Sequence, residues 1–262
     1  MNQKDNSSIF TPILIGGSLI LLISFAIRST FGLFQIPIAE QFMWARSEFS
    51  LAIAIQNLAW GIGTPIFSAF AEKFGDRKAV TIGLLLYAIG MLISSTASSP
   101  EAHQFLNVII GFGIAGSGFG PILAVVGRAA SPEKRSLALG ITTAAGSGGQ
   151  VVGPPFAAIL LSIMPWSSVF VVFALISLLT IVLVPLLKSN PKISKIDVEE
   201  NLRDALMEAV KDPTYIMLFL GFFSCGFQLA FITAHFPAFI AEASSPIIQG
   251  SLISLFAILS LL

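Results

Sequence analysis

The sequence predicts an all-α membrane protein, and three observations support that fold class. Hydrophobic residues make up 55% of the 262 residues and charged residues only 11%. A soluble domain usually carries about a quarter charged residues, more than twice the fraction found here. The mean hydropathy is +0.89, and a soluble domain of this length has too little interior to bury so much apolar surface. Uncharged runs close to the roughly 20 residues that a helix needs to cross a bilayer recur along the chain.

These uncharged runs define seven complete membrane spans and an eighth that is still apolar at the last residue. Each run is bounded by charges or by glycine and proline, and we interpret each as one helix. The expected spans are 11–35, 48–70, 79–98, 103–127, 137–161, 167–187, 213–240 and 247–262. We expect residues 1–187 to form a six-helix amino-terminal bundle and residues 213–262 to begin a second bundle.

The basic residues predict which side of the membrane each loop faces, because cytoplasmic loops carry an excess of lysine and arginine. With the amino terminus inside, Arg46 is external and Arg28 lies within the first span. The other basic residues are then cytoplasmic: Lys4, Lys73, Arg77, Lys78, Arg128, Lys134, Arg135, Lys188, Lys192, Lys195, Arg203 and Lys211. We therefore expect an integral multi-pass protein of the plasma (inner) membrane with a cytoplasmic amino terminus.

The longest polar segment, residues 188–212, separates the two expected bundles as a cytoplasmic linker. Within it, Val198, Leu202, Leu206 and Val210 recur every four residues among charged residues. This spacing indicates an amphipathic helix lying on the membrane surface. A solvated, charged linker is the alternative.

Composition also excludes several function classes. Lysine plus arginine and aspartate plus glutamate number 14 each, so bulk charge gives no nucleic-acid signal. The single cysteine, Cys225, and the two histidines leave no disulfide framework and no metal cluster. The spans hold no paired carboxylates and no Ser/His/Asp set at usable spacing, so we expect neither an enzyme nor a bound cofactor or metal.

Two spans ninety residues apart indicate an inverted repeat. Residues 63–66 of the second span read Gly-Thr-Pro-Ile, and residues 153–156 of the fifth read Gly-Pro-Pro-Phe. An odd number of crossings separates these spans, so they run in opposite directions. Transporters often contain two such three-helix units with glycine and proline interruptions at matching places. The alternative is a chance match. The repeat predicts a three-plus-three bundle with a polar path along its axis.

The glycine-rich stretch of residues 111–121 contains a Gly-x-Gly-x-x-Gly pattern, but it lies inside the fourth span. A dinucleotide site needs a preceding strand and a phosphate at the start of a helix. We therefore interpret these glycines as sites of close helix packing.

The loop after the second span, residues 68–78, resembles a motif of the major facilitator superfamily. Gly75 and Arg77 match that motif, and Glu72 and Lys73 keep its charges. Ser68 and Asp76 depart from it, so a helix-packing glycine and one cation are missing. The resemblance implies that the loop pairs with neighbouring helix ends in one conformation; a solvated turn obeying the positive-inside rule is the alternative.

The fifth span carries the most specific resemblance to the superfamily, the pattern Gly-x-x-x-Gly-Pro formed by Gly149, Gly153 and Pro154. We expect Gly153 and Pro154 to let the fifth helix bend. The family also commonly has an arginine four residues before a glycine in the fourth span. Here Asn107 precedes Gly111, so the role of that arginine in proton coupling does not carry over.

Shorter stretches are similar to the branch that holds the oxalate/formate antiporters and the monocarboxylate transporters. They are residues 44–50 before the second span, 56–61 within it, and 221–227 and 235–238 in the seventh. The resemblance implies twelve spans in two bundles with the substrate between them. A carboxy-terminal bundle is therefore the expected partner of this chain.

Arg28 is the first candidate for a substrate-binding residue. A charge inside a span is costly and usually faces a water-filled path or a partner. A guanidinium grips a carboxylate through two parallel hydrogen bonds, which suits an organic anion. The alternative is that Arg28 extends to the external interface, one or two turns away.

Gln56, Asn57 and Trp60 are further candidates, because Gln56 and Trp60 share a helix face and amide and indole groups orient small polar solutes. Amides within spans can instead bond between helices. His235, beside Pro237, is a candidate for gating or proton relay, or else forms a structural hydrogen bond at the kink.

We therefore expect secondary active transport of a small solute by alternating access, with an organic anion such as a monocarboxylate as substrate. Arg28, Gln56, Asn57, Trp60 and His235 are the expected substrate-binding residues. The expected gating residues are Glu72, Lys73, Gly75, Arg77, Gly149, Gly153 and Pro154. The alternatives are a carrier of drugs or neutral metabolites with the same fold, and a truncated, non-transporting fragment.

Overall fold

The computed structural model describes residues 10–188 and 202–241. This part of the chain is helical and contains no strand. The helices are α1 (Pro12–Arg28), α2 (Gln35–Phe42), α3 (Arg46–Phe74), α4 (Asp76–Ser94), α5 (Pro100–Ser117), α6 (Phe119–Ala129), α7 (Arg135–Ile163), α8 (Trp166–Thr180), α9 (Leu202–Lys211) and α10 (Pro213–Ala241). Two 3-10 segments, Phe31–Phe34 and Ile181–Leu186, follow α1 and α8.

Six helical units of the described chain are long and apolar enough to cross a membrane, which confirms six of the predicted spans. They are Pro12–Phe42, Arg46–Phe74, Asp76–Ser94, Pro100–Ala129, Trp166–Leu186 and Pro213–Phe239. The predicted span 137–161 corresponds to α7, which is 29 residues long. It contains Pro154 and Pro155 in its interior. The predicted span 247–262 lies outside the described residues.

Local sequence signals set several helix ends. Thr11 caps α1 by accepting a hydrogen bond from Leu14 N, and proline occupies the first helical position. Ser99 caps α5 in the same way, again followed by proline. Proline suits this position because its missing N–H would have no partner there. Gly75 separates α3 from α4 with φ +101°, a backbone conformation that favours glycine.

The first span continues further than the sequence predicts. After α1 the chain passes through Ser29, Thr30 and a 3-10 segment, and then continues as α2 to Phe42 rather than ending near residue 35. The Ser29 and Thr30 hydroxyls donate to the carbonyls of Ala26 and Ile27, and such bonds compete with regular helix formation. Arg28 therefore lies near the middle of a 31-residue unit and not close to its end.

The fourth span is also broken. Gly118, with φ −94° and ψ −159°, is in an extended conformation between α5 and α6. Arg28, the last residue of α1, and Gly118 are ninety residues apart, the same offset that relates Gly63 to Gly153. The two breaks thus fall at equivalent places in the two halves of the bundle.

Helix pairing agrees with the inverted three-helix repeat. α3 packs on α5, where a Cβ at Gly63 would lie 2.8 Å from the Ala115 side chain. α7 packs on α1, where Gly153 takes the equivalent position against Ala26. The second span of each three-helix unit (α3 or α7) therefore packs through a glycine on the first span of the other unit (α5 or α1), as an inverted repeat requires.

Aromatic side chains fill one end of the bundle. The Phe34 ring lies 4.6 Å from the Phe170 ring and 6.2 Å from the Phe173 ring, and all three are buried. Such ring pairs contribute about 0.5–1.5 kcal/mol each beyond their buried area. They connect the 3-10 segment after α1 to α8 and fix the first span beyond its break.

α10 contacts the bundle through its second half. Thr233 and Pro237 lie against Gly32, where a side chain would collide with the Thr233 carbonyl. The first half of α10, through Phe227, is exposed. The predicted linker contains one described helix, α9, which covers much of the amphipathic stretch; residues 189–201 lie outside the described residues.

Candidate functional site

Arg28 is placed in the interior of the bundle by the break that follows α1. Only 5% of the residue is exposed. Its Nη2 donates to Asn57 Oδ1 at 2.8 Å, and Asn57 Nδ2 in turn donates to the Ile53 carbonyl. This geometry rules out the alternative in which Arg28 extends to the membrane interface. Of the predicted residues, the structure brings Arg28 and Asn57 together directly.

Trp60 forms the aromatic wall of this site. The Arg28 Cζ lies 4.4 Å from the centroid of the Trp60 ring and 5.8 Å from that of Phe25. A guanidinium over an indole face gains about 0.5–2 kcal/mol, more when water is excluded. Trp60 thus packs against one face of the guanidinium, while Asn57 accepts a hydrogen bond from its Nη2.

Two hydrogen-bond donors of Arg28 remain without acceptors. The Nε and Nη1 atoms are buried and have no hydrogen-bond partner, and among the described residues no acidic side chain pairs with Arg28. Tyr87 is also buried, and its phenol carries no formal charge. A buried charge ordinarily has a counter-charge and filled hydrogen bonds. The site is therefore a cation with open donors.

The break in the fourth span adjoins the same indole. A Cβ built at Gly118 would lie 3.5 Å from Trp60 Nε1, and the Phe119 ring lies 4.4 Å from the Phe25 ring. About two turns further along α3, a Cβ at Gly120 would lie 2.8 Å from Ser68 Oγ. α6 thus approaches α3 closely through glycines on α6.

Gln56 is not part of this cluster. Its Nε2 donates to Asn107 Oδ1 at 2.9 Å, and Asn107 Nδ2 donates to the His103 carbonyl. Gln56 and Asn107 are both buried. This hydrogen bond between two side-chain amides connects α3 to α5. The sequence left such a bond between helices open as the alternative to substrate binding. Although Gln56 and Trp60 are four residues apart, their side chains serve different neighbours.

His235 belongs to α10 and lies away from Arg28, where α10 borders the rest of the bundle. It is exposed, and its ring is 5.1 Å from the Phe231 ring. It borders a cavity of about 490 Å³ together with Gln35, Arg46 and Ser50. The structure does not bring His235 to Arg28.

The glycines of α7 explain how α1 is held near its break. A side chain at Gly149 would collide with the Leu22 carbonyl, and one at Gly153 with the Ala26 carbonyl. Pro154 follows within the same helix. α7 therefore lies directly on the backbone of α1 over the two turns that precede Arg28, and small residues at 149 and 153 permit that contact.

The loop after α3 forms contacts that the sequence did not reveal. Arg128, in the last turn of α6, forms an ion pair with Asp76, the first residue of α4. Arg77 Nη2 donates to the Pro185 carbonyl at 2.6 Å. Glu72 and Lys73 are exposed, and Gly75 makes the turn. Asp76 departs from the family motif, yet it joins two helix ends through Arg128.

The departure at Ser68 has a similar explanation. The family motif has glycine at this position for close helix packing, and here the glycine lies opposite, at Gly120 of α6. The stretch of glycines at 111–121 was the available signal. Its interpretation as close packing agrees with the contacts of Gly111 and Gly120, while the helix break at Gly118 was missed. Among the described residues, no group of histidine, cysteine and acidic side chains could hold a metal.

The chain is similar in sequence to known transporters. The family model "Major Facilitator Superfamily" matches residues 17–262. An uncharacterized MFS-type transporter of Bacillus subtilis, YcxA, is 25% identical over 233 residues, which are 85% of this chain and 56% of the relative. Monocarboxylate transporter 13 of Bos taurus is 35% identical over 121 residues, 45% of this chain and 27% of the relative. The chain thus spans at most about half the length of these curated relatives.

Solved structures share the fold. A bacterial homologue of the human lysosomal transporter Spinster, in an inward-facing and unoccupied conformation, superposes with a TM-score of 0.70 at 17% identity, over 94% of this chain and 59% of that chain. A D-xylose–proton symporter gives a TM-score of 0.64 at 16% identity, over 94% and 64%. The matched residues and this fold, an integral multi-pass helical bundle, show that the chain belongs to the Major Facilitator Superfamily.

Proposed function

We propose that the protein is a secondary active transporter that moves a small organic anion, such as a monocarboxylate, by alternating access. The observation that carries this proposal is Arg28, a buried cation at mid-span with two open donors and no acidic partner among the described residues. A carboxylate supplies both the missing charge and the missing acceptors. Binding the substrate then removes the cost of keeping the cation in the membrane interior.

The neighbours of Arg28 favour an anion. Asn57 accepts from Arg28, so it orients the guanidinium. Trp60 covers one face of the guanidinium and carries an indole N–H next to the broken fourth span. The similarity to monocarboxylate transporters supports the same substrate class.

Alternating access requires a second wall opposite this bundle. We propose that residues 1–187 form one wall, that residues 188–212 connect the walls, and that residues from 213 onward begin the other. In this arrangement the ends that carry Arg77, Arg128 and Arg135 face the cytoplasm, in agreement with the positive-inside rule. The plasma (inner) membrane is the proposed location.

The remaining predicted residues have roles in conformational change. Gly149, Gly153 and Pro154 let α7 bend while it stays in contact with α1. Glu72, Lys73, Gly75 and Arg77 hold the cytoplasmic ends of the helices together in one state. His235 borders the cavity between the bundle and α10, where the two walls meet at the opposite end.

Uptake of labelled lactate by the full-length protein in liposomes tests the proposal. We expect saturable uptake that other small carboxylates inhibit and that Arg28→Ala abolishes. Arg135→Gln, which removes an exposed cation at a helix end, is the matched control and should retain uptake. Inhibition by neutral solutes but not by carboxylates would favour a drug or neutral-metabolite carrier. Absence of transport for every solute class would favour a non-transporting protein.

A further inference from the structure

We propose that Ser24 binds a hydroxyl group of the substrate beside Arg28, so that the site selects 2-hydroxy monocarboxylates over carboxylates that lack this hydroxyl. This inference rests on the proposed function, because it assigns a further binding residue to the same substrate. Ser24 lies in α1, about one helical turn before Arg28, and only 1% of the residue is exposed.

The hydroxyl of Ser24 has no hydrogen-bond partner, whereas most buried hydroxyls of the described helices have one. Buried serine and threonine side chains in helices commonly donate to a backbone carbonyl. Those that do so here are Ser29, Thr30, Ser117, Thr142, Ser177 and Thr180. Ser24 Oγ is buried without a partner, as is Ser94 Oγ at the end of α4. A buried polar group without a partner is costly, so Ser24 has a donor and an acceptor available for a ligand.

Helix geometry places Ser24 beside the guanidinium of Arg28. With 3.6 residues per turn, Arg28 lies about 40° around α1 from Ser24 and about 60° from Phe25 in the other direction. Residues four apart on a helix have Cβ atoms about 5–6 Å from each other. The Arg28 Cζ lies 5.8 Å from the Phe25 ring, so the side chain runs back over the preceding turn, as long side chains in helices ordinarily do. That turn holds both Phe25 and Ser24.

The aromatic neighbours of Arg28 lie on the side of Phe25 and not on the side of Ser24. The Trp60 ring is 4.4 Å from the Arg28 Cζ and packs edge-on against the Phe25 ring at 5.8 Å. On the side of Ser24, Tyr87 of α4 brings a second hydroxyl, which donates to the Ser24 carbonyl over a long 3.5 Å. Ser24 and Tyr87 therefore border the guanidinium on the side away from the two rings.

The unpartnered atoms of these two turns match the chemistry of a 2-hydroxy monocarboxylate. They are Nε and Nη1 of Arg28 and Oγ of Ser24. The guanidinium donates to carboxylate oxygens, which only accept. The Ser24 hydroxyl both donates and accepts, so it can pair with a hydroxyl on the carbon next to the carboxylate. A carboxylate without that hydroxyl leaves Ser24 unpaired, and sites built to bind a hydroxyl discriminate against analogues that lack it.

Binding of lactate and of propionate to Ser24→Ala tests the inference, because the two ligands differ only in the 2-hydroxyl group. We expect the wild type to prefer lactate roughly five-fold, the contribution of one hydrogen bond, and Ser24→Ala to bind both ligands equally. Ser29→Ala is the matched control, since the Ser29 hydroxyl already donates to the Ala26 carbonyl. It should keep the preference of the wild type. Equilibrium binding of both labelled ligands to the purified full-length proteins is the measurement.

The ratio of the two affinities separates binding from a structural role. A structural role of Ser24 would weaken both ligands alike and leave the ratio unchanged, and that result would overturn the inference. Equal affinities in the wild type would overturn it as well. If Arg28→Gln abolishes binding of both ligands while Ser24→Ala keeps the ratio of the wild type, the proposed function stands and only the role of Ser24 fails. If Arg28→Gln leaves binding of both unchanged, the proposed function fails and the inference fails with it.

Discussion

Arg28 and Arg128 are two arginines that the fold treats in opposite ways. Arg128 lies at the end of α6, about a third of its side chain is exposed, and it pairs with Asp76. Arg28 lies at mid-span, is buried, and has a neutral amide and an indole as its neighbours. A cation whose counter-charge is part of the fold stabilises structure. In the proposed function, a cation with open donors is held ready for a ligand, at some cost in stability.

The largest effect is expected from replacing Arg28, and it distinguishes a ligand-binding role from a structural one. Arg28→Gln removes the charge and the bidentate donor, so we expect lactate binding to fall at least about 100-fold. Its thermal midpoint should equal or exceed that of the wild type, because removing an unpaired buried charge relieves a desolvation cost. Ligand binding and a thermal melt of the same preparation measure both. A large drop in the melting temperature would instead make Arg28 a structural residue.

The position of α1 provides the next contrast. Gly153→Ala places a methyl group against the Ala26 carbonyl, and the resulting shift should cost about 1–3 kcal/mol and weaken lactate binding. Gly148→Ala is the control, since a Cβ there meets nothing within 4 Å and alanine favours helix. Thermal melts and binding measured for both variants decide the matter. Equal behaviour of the two would contradict the close contact between α7 and α1.

The pair formed by Arg128 and Asp76 should be structural and exchangeable. Asp76→Arg and Arg128→Asp each place like charges together, and each should lower the stability by about 1 kcal/mol, allowing for the partial exposure of Arg128. The double variant restores an opposite-charge pair and should recover much of the loss. Thermal melts of the four proteins complete the cycle. Additive losses in the double variant would argue against a direct pair.

The last contrast concerns the buried amide pair. Gln56→Leu or Asn107→Leu alone leaves one buried amide without its partner and should cost about 1–2 kcal/mol. Replacing both removes the unsatisfied group, so the double variant should be closer to wild type than either single variant. Lactate affinity should change little in all three, whereas Asn57→Leu should weaken it. Weaker binding in Gln56→Leu alone would return Gln56 to the substrate site.

The spans and the inverted repeat were predictable because hydropathy and proline spacing are local signals. The end of the first span was misjudged, because Gln35 and Pro37 resemble the end of a span when they in fact lie at the start of a further helix, α2. Gly118 was equally hidden, since a glycine within an apolar run suits either packing or a break.

Contacts between distant residues were beyond the reach of local patterns. Asp76 and Arg128 are 52 residues apart, and Gln56 and Asn107 are 51 apart. For neither pair does the surrounding sequence indicate which distant residue forms the contact. The sequence therefore identified the candidate side chains, while packing decided which of them face Arg28 and which connect helices.

The placement of Trp60 gives this protein its own optical probe. The indole lies against the guanidinium on one face, so binding of the proposed anion to Arg28 would alter the electric field across the ring and hence the emission wavelength. Replacing Trp44 and Trp166 by phenylalanine leaves a single emitter. Occupancy can then be followed in real time without a labelled solute.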